Sequence, residues 1–422
     1  MHDANVPEDS LNPERTMYMR KITLQLTVAL LLVLNIGCPP VKADADAKLR
    51  TRARELAQNL LLVDTHVDTP YRLQQKMQDI SGPIEGGHFD YARAKQGGLD
   101  AVFMAVYVPA RYEQEGGARD FADETIDFVK RLAQKWPDKF VMADSVDEVR
   151  KRFGDDRISI IMGMENGSPI EGDLANLKYF YERGIRYITL AHSKNNHICD
   201  SSYDQGPKWH GLSPFGKKVV AQMNRLGMII DVSHVSDDTF YQIMRLSKAP
   251  VVATHSACRH FTPGWQRNMS DEMIRLLAAK GGVIQMNFGS IFVNPQTNRE
   301  FVNLKEGIRR HIEANNLQGK DKERYTNQRW EQARFSKAHV GDVAANIDHV
   351  VKLVGIEHVG LGSDFDGVDN VPEGLEDVSG YPNLVYELLK MGCSEADIRN
   401  ICAENFLRVW AEVEKAAVAL GP

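Results

Sequence analysis

Seven ionisable side chains stand where apolar runs of this chain end. In "LLVDTHVDTP" (61–70) the aliphatic residues lead into Asp64, then His66 and Asp68 two apart, and a proline closes the segment. Glu165 ends "RISIIMGMEN" (157–166), His192 ends "GIRYITLAHS" (184–193) and His234 ends "GMIIDVSHVS" (227–236). His255 stands in "APVVATHSAC" (249–258) and Asp364 in "EHVGLGSDFDG" (357–367). A lone histidine at such a place is usually a hydrogen-bonded structural residue. Four histidines with Asp68, Glu165 and Asp364 at equivalent places are a different matter, because charged groups are rarely buried unless paired or bound to metal. Imidazole and carboxylate suit zinc, whose catalytic sites keep one position open for water. So many ligands predict two metals, roughly 3.5–4 Å apart, bridged by a carboxylate and a water whose pKa falls toward about 7.

The runs that carry these residues recur as a pattern. With "NLLLVDTHVD" (59–68), "LDAVFMAVYV" (99–108) and "GGVIQMNFGS" (281–290) they make eight short β-branched segments, each followed by a helical pattern. Near-continuous apolar strands alternating with helices predict a parallel sheet covered on both faces. In "SPFGKKVVAQMNRLG" Ser213 can cap, Pro214 fits the first helical position and Gly227 follows the last turn. Ile398, Ile401, Cys402, Phe406, Val409, Trp410 and Val413 give the last helix a 3.6 period behind Ser394. Eight β-α units predict a (β/α)8 TIM-type barrel with the metal site at the C-terminal ends of the strands. Residues 291–340 break the alternation with a charged, helix-prone excursion. It reads as a lid, as an oligomer contact such as a homodimer would use, or as a solvated hairpin.

The motifs "DTHVD", "GMENG", "LAHSKNNHICDS", "GLSPFGKKVVAQMNRLGMIIDVSHVS", "HSACR", "RNMSDEMIRLL" and "GLGSDFDGVDNVPEGLEDVSGYPNLVYELL" resemble the membrane (renal) dipeptidases, binuclear zinc metallopeptidases of the amidohydrolase-like barrel group. The likeness runs from about residue 58 to 412, in the family's order. It implies that His66, Asp68 and Glu165 hold one Zn2+ and that Glu165, His234 and His255 hold the other. It also implies that His192 contacts the scissile carbonyl oxygen, Arg267 the substrate carboxylate, and that Asp364 handles protons on dipeptide substrates. The chemistry is consistent with this: His192 can stabilise an oxyanion, and Asp364 can pass a proton from water to the leaving amine. Asp366 competes with Asp364, since residues two apart on a strand share a face; only the family motif favours Asp364. The remaining histidines read as surface, loop or supporting residues, with His197 the one whose loop should overhang the pocket.

Bulk composition narrows the alternatives. A net charge of -6 leaves no basic footprint for nucleic acid. Five scattered cysteines without a C-x-x-C pair argue against a disulfide framework or a cysteine-based zinc site. A mononuclear deaminase would begin with His-x-His rather than His-x-Asp, and a barrel that had lost catalysis would not be expected to keep the whole ligand set. At the N-terminus, Arg20-Lys21 precede an apolar stretch from Ile22 to Ile36, then Gly37-Cys38 and "VKADADA". This reads as a secretion signal within residues 1–45, with cleavage after Ala43 or Ala45 or a lipid anchor on Cys38, ahead of one barrel domain at 46–422. The expected location is therefore periplasmic or extracellular, or anchored to a membrane as a lipoprotein. Mass spectrometry of the mature protein should find its first residue between Ile36 and Ala47; an intact N-terminus in the cytosol would refute export.

Overall fold

The computed structural model describes residues 41–421. Residues 1–40 of the expected secretion signal, Cys38 among them, lie outside the described residues, and Ala43 and Ala45 fall in the helix Val41–Asn59. The unit from Arg50 onward carries the barrel. Its strands are β1 (Val63–Val67), β2 (Ala101–Tyr107), β3 (Phe140–Met142), β4 (Ile158–Glu165), β5 (Ile185–Thr189), β6 (Ile229–Asp231), β7 (Val252–Ser256), β8 (Val283–Met286) and β9 (Val359–Leu361). They pair in parallel in the order β1-β2-β4-β5-β6-β7-β8-β9, with β3 attached to β4 off that path. Just beyond β9, Val67 bridges Phe365, the Asp68 amide donates to the Phe365 carbonyl at 2.8 Å, and the Asp364 amide donates to the His66 carbonyl at 3.0 Å. The result is the expected (β/α)8 barrel. Each expected run contains one barrel strand. β3 was not anticipated, because three residues are too few to show a period.

Residues of β1 and β4 are buried throughout, as strands covered on both faces must be. Helix punctuation follows the sequence. Ser213 accepts from the Gly216 amide at the start of the helix Pro214–Leu226, and Gly227 ends it in a left-handed conformation that costs glycine little. The apolar face of the helix Asn405–Leu420 covers the N-terminal ends of the strands. Phe406 and Trp410 lie 5.2 and 5.5 Å from the Phe103 ring, among Val63, Ala101, Ile229, Val252 and Val283, which open their strands or lie near their starts. The core therefore fills the end of the barrel opposite the ionisable residues.

Register sets the height of the other end. Tyr107 pairs with Glu165, Glu165 with Thr189, and Thr189 with Asp231, which places these four side groups on one level at the C-terminal rim. Below them Tyr187 reaches through the barrel interior. Its ring occupies the space left by Gly163, where an added Cβ would lie 2.0 Å from the phenol carbon.

The charged excursion folds as two helices after β8, Pro295–Ala314 and Gly319–Glu331. Asn294 caps the first, accepting from the Gln296 and Thr297 amides, with proline in the first turn. No residue of the second helix is buried. Phe301, Trp330 and Phe335 nonetheless line the cleft above the barrel mouth, so the hairpin forms a wall of that cleft rather than a purely solvated appendage.

Candidate metal centre and active-site cleft

Glu165, the last residue of β4, is 3% exposed and stands at the centre of the ring of histidines. Its Oε1 lies 3.1 Å from His234 Nε2, 3.3 Å from His255 Nε2 and 3.6 Å from His192 Nε2. Its Oε2 lies 3.7 Å from His66 Nε2, which is 3.2 Å from Asp68 Oδ2. Asp68 caps no amide of the helix that follows it, so its carboxylate is left for the centre. Ligand atoms of His66, Glu165 and His255, of Glu165, His192 and His234, and of His66, Asp68 and Asp364 form three groups, each spanning no more than 4.8 Å.

Proton positions follow from the partners on the far side of each ring. The Tyr187 hydroxyl donates to the Thr65 carbonyl (3.2 Å) and so accepts from His66 Nδ1 (2.7 Å). The Thr254 hydroxyl donates to Asp231 Oδ2 (2.7 Å) and so accepts from His255 Nδ1 (2.8 Å). With Nδ1 protonated, His255 turns an Nε2 lone pair toward Glu165. His66 turns its Nε2 toward Asp68 and Glu165, where, against the pull of burial, their charges raise its pKa to about 10 and keep a proton there until a cation takes its place. Arg267 Nη2 donates to His234 Nε2 at 3.0 Å, which makes that nitrogen a lone pair as well. His234 Nε2 and His255 Nε2 stand only 2.8 Å apart, and buried His66 Nε2 has no hydrogen-bond partner. Lone pairs that face one another and a carboxylate at these separations repel. A cation among them turns the repulsion into coordination, so the donor set fits metal ions, and N/O donors fit zinc.

Ionisation equilibria reflect the same crowding. Burial, followed by the charge of Asp68 and Asp364, raises Glu165 well above the usual carboxylate range despite the favourable His66 charge. Burial and then the Asp68 charge push Asp364 up to about 7. Burial drives His234 and His255 well below the usual imidazole value, and burial followed by Arg267 pushes His192 down to about 3.

The structure separates the two aspartates that sequence periodicity could not. Asp364 and Asp366 have φ of 62° and 66°, so the strand rule of alternate faces does not apply to them. Asp364 faces the centre, and Asn287 Nδ2 donates to its Oδ2 at 2.7 Å. Asp366 faces away: it accepts from Thr69 Oγ1 (2.7 Å) and the His88 amide (2.6 Å) and pairs with Arg72 Nε (3.0 Å). Asp64 is no ligand either. It accepts from the His66 amide (3.1 Å), the Ser363 amide (2.9 Å) and the Tyr381 hydroxyl.

His192 keeps its Nε2 toward Glu165 and packs edge-on to Tyr107 with ring centroids 4.9 Å apart. Arg267 is 3% exposed and lies against the centre. It donates from Nη1 to Ser256 Oγ (2.9 Å) and from Nη2 to the His255 carbonyl (2.8 Å), while its buried Nε has no partner. His197 pairs with Glu113 at 3.1 Å and accepts from the Gly172 amide, so it supports its loop and does not line the cleft. Tyr187, Thr254, Asp231 and Asn287 were not anticipated from sequence. Asp231, buried at the end of an apolar strand, carried the same signal as the ligands, whereas a tyrosine in a strand reads as core. The cleft itself measures about 790 Å³ and runs from Asp68, Glu165, His192 and Asp364 to the hairpin.

A family model described as membrane dipeptidase (peptidase family M19) matches residues 50–420. The dipeptidase tcpJ of Claviceps purpurea is 34% identical over 344 residues, 79% of this chain and 71% of that protein. The crystal structure of the probable dipeptidase PvdM from Pseudomonas aeruginosa superposes with a TM-score of 0.77 at 29% identity, covering 88% of this chain and 99% of that one. A metallopeptidase from Rhodobacter sphaeroides, liganded with a phosphinate mimic of the dipeptide L-Ala-D-Ala, gives 0.69 at 25% identity, covering 84% and 99%.

The shared position of Glu165 makes a distinct metal-content pattern expected. Elemental analysis after zinc reconstitution should find about two ions per chain, none or nearly none in Glu165→Ala, and loss of mainly one in His66→Ala. Tyr187→Phe should weaken metal affinity about 10–100-fold, because the phenol fixes the His66 tautomer. A wild-type content of one ion would rule out the two-metal centre.

Proposed function

This chain belongs to the membrane dipeptidase family, peptidase family M19, and is a metallo-dipeptidase; we propose that it hydrolyses dipeptides with two zinc ions that share Glu165. His66, Asp68 and Glu165 would hold one ion, and Glu165, His234 and His255 the other. The observation that carries this reading is the convergence of the Nε2 atoms of His66, His234 and His255 on one buried carboxylate. When bound, such ions supply a Lewis acid for the peptide carbonyl and make water acidic enough to react at neutral pH.

The side chains do the rest. Asp364, with a carboxyl that burial places near neutrality, accepts a proton from the attacking water and returns it to the departing amine. The Asn287 amide holds one Asp364 oxygen and leaves the other for that exchange. His192 is neutral, and with its proton on Nε2 it donates to the oxygen that gains charge as the carbonyl is attacked. Arg267 is anchored by Ser256 and the His255 carbonyl, and its remaining donors are left for the substrate's terminal carboxylate. Export of the enzyme, with processing near Ala43 or lipidation of Cys38, belongs to the same proposal and rests on the N-terminal sequence pattern.

Asp364→Asn should keep both metals and lower kcat about 10²–10⁴-fold, since an amide cannot carry the proton. Stopped-time assays on the metal-loaded variant decide this, and a near-normal rate would remove Asp364 from the reaction. Amidating the substrate's C-terminus should cost about 1.5–3 kcal/mol in kcat/KM by removing the charged partner of Arg267. Equal efficiency on a dipeptide and its amide would show that Arg267 does not read that group.

A further inference from the structure

The hairpin after β8 carries three large rings that the metal chemistry does not use. Phe301 lies on its first helix, Trp330 near the end of its second, and Phe335 in the return to the barrel. Their centroids are 5.4, 6.1 and 6.4 Å apart, and Trp265 supports Phe301 at 5.8 Å. None of the three is buried, and all line the same cleft as Glu165, His192 and Asp364. The second helix of the hairpin has no buried residue, so Trp330 is not taken up by the core.

We propose that this aromatic wall is the side-chain subsite of the enzyme, selecting dipeptides with one bulky apolar or aromatic residue. The inference rests on the dipeptidase reading and adds the substrate class to it. The occupant follows from continuity: the wall and the reacting groups share one cleft, so a substrate held at Glu165 and Asp364 has its side chain within reach of the rings. A ring or branched aliphatic chain placed there leaves water and gains contact with aromatic faces already held in position by one another. A methyl side chain gains little by comparison. Preorganisation matters as well. The trio is packed before substrate arrives, so less freedom is lost on binding than if three loose side chains had to gather.

The test compares kcat/KM of the zinc-loaded full chain on Ala-Ala, Phe-Ala and Ala-Phe. At least one phenylalanyl substrate should exceed Ala-Ala by about 10–100-fold. Trp330→Ala should bring that ratio close to one, mainly through KM, and Phe335→Leu should remove part of it. Lys322→Ala, on an exposed position of the same helix, should leave the ratio unchanged. Ratios within about twofold of one in the wild type, or a ratio that survives both Trp330→Ala and Phe335→Leu, would overturn the subsite while leaving the dipeptidase intact. No turnover on any of the three would overturn the dipeptidase reading and this inference with it.

Discussion

A carboxylate taken out of water at the mouth of a barrel is the constraint to which the rest of this molecule answers. Burial and the neighbouring Asp68 and Asp364 charges raise the Glu165 carboxyl well above the usual range, against the opposing pull of His66 and Arg267. His234 and His255, held neutral by burial, turn Nε2 lone pairs toward it and supply no donor. A cation held among these groups would relieve both the buried charge and the crowding of nitrogens. Everything that fixes the geometry of the centre can be followed inward from that point. The phenol of Tyr187 descends into the aromatic core beside Phe103, and Thr254 and Asp231 tie the His255 ring to β6 and β7. Metal affinity and core packing are therefore coupled through a few hydrogen bonds.

Backbone strain is concentrated in the same place. His234, Asp364 and Asp366, with φ of 67°, 62° and 66°, occupy the left-handed region that side chains avoid, and Asn166 beside Glu165 does so at 83°. Each such residue costs on the order of 1–3 kcal/mol and persists where its surroundings leave no alternative. Asn166 is held in this way by the Val108 carbonyl and the Ser168 amide. The return on the strain is direction. An extended chain could offer only alternate faces, whereas these turns aim His234 and Asp364 at the centre and turn Asp366 away from it.

That is also where sequence reading stopped short. Strands, barrel class and the ionisable residues at their ends were legible because a buried apolar run has a recognisable length and an acid or histidine at its end violates the pattern. Helix limits such as Ser213 and Gly227 were legible for local reasons. Asp364 and Asp366 were not separable, because the period that would assign their faces presupposes a strand backbone they do not have. Tyr187 and Asn287 act through long-range contacts, spanning 121 and 77 positions in the chain, which no local pattern encodes. The hairpin's charge disguised its function: a helix with polar residues all round can still turn one tryptophan toward a cleft.

The closure of the barrel has a further meaning. The first and last strands meet through Val67 and Phe365, and the amides that make the join belong to Asp68 and Asp364, two of the residues that face the centre. The seam of the cylinder thus runs directly between these two carboxylates, with Asp64 bracing it from below. An ion held by Asp68 would fasten one side of that seam to the centre, and slow hydrogen exchange at the Asp68 and Asp364 amides would gauge how firmly it is closed.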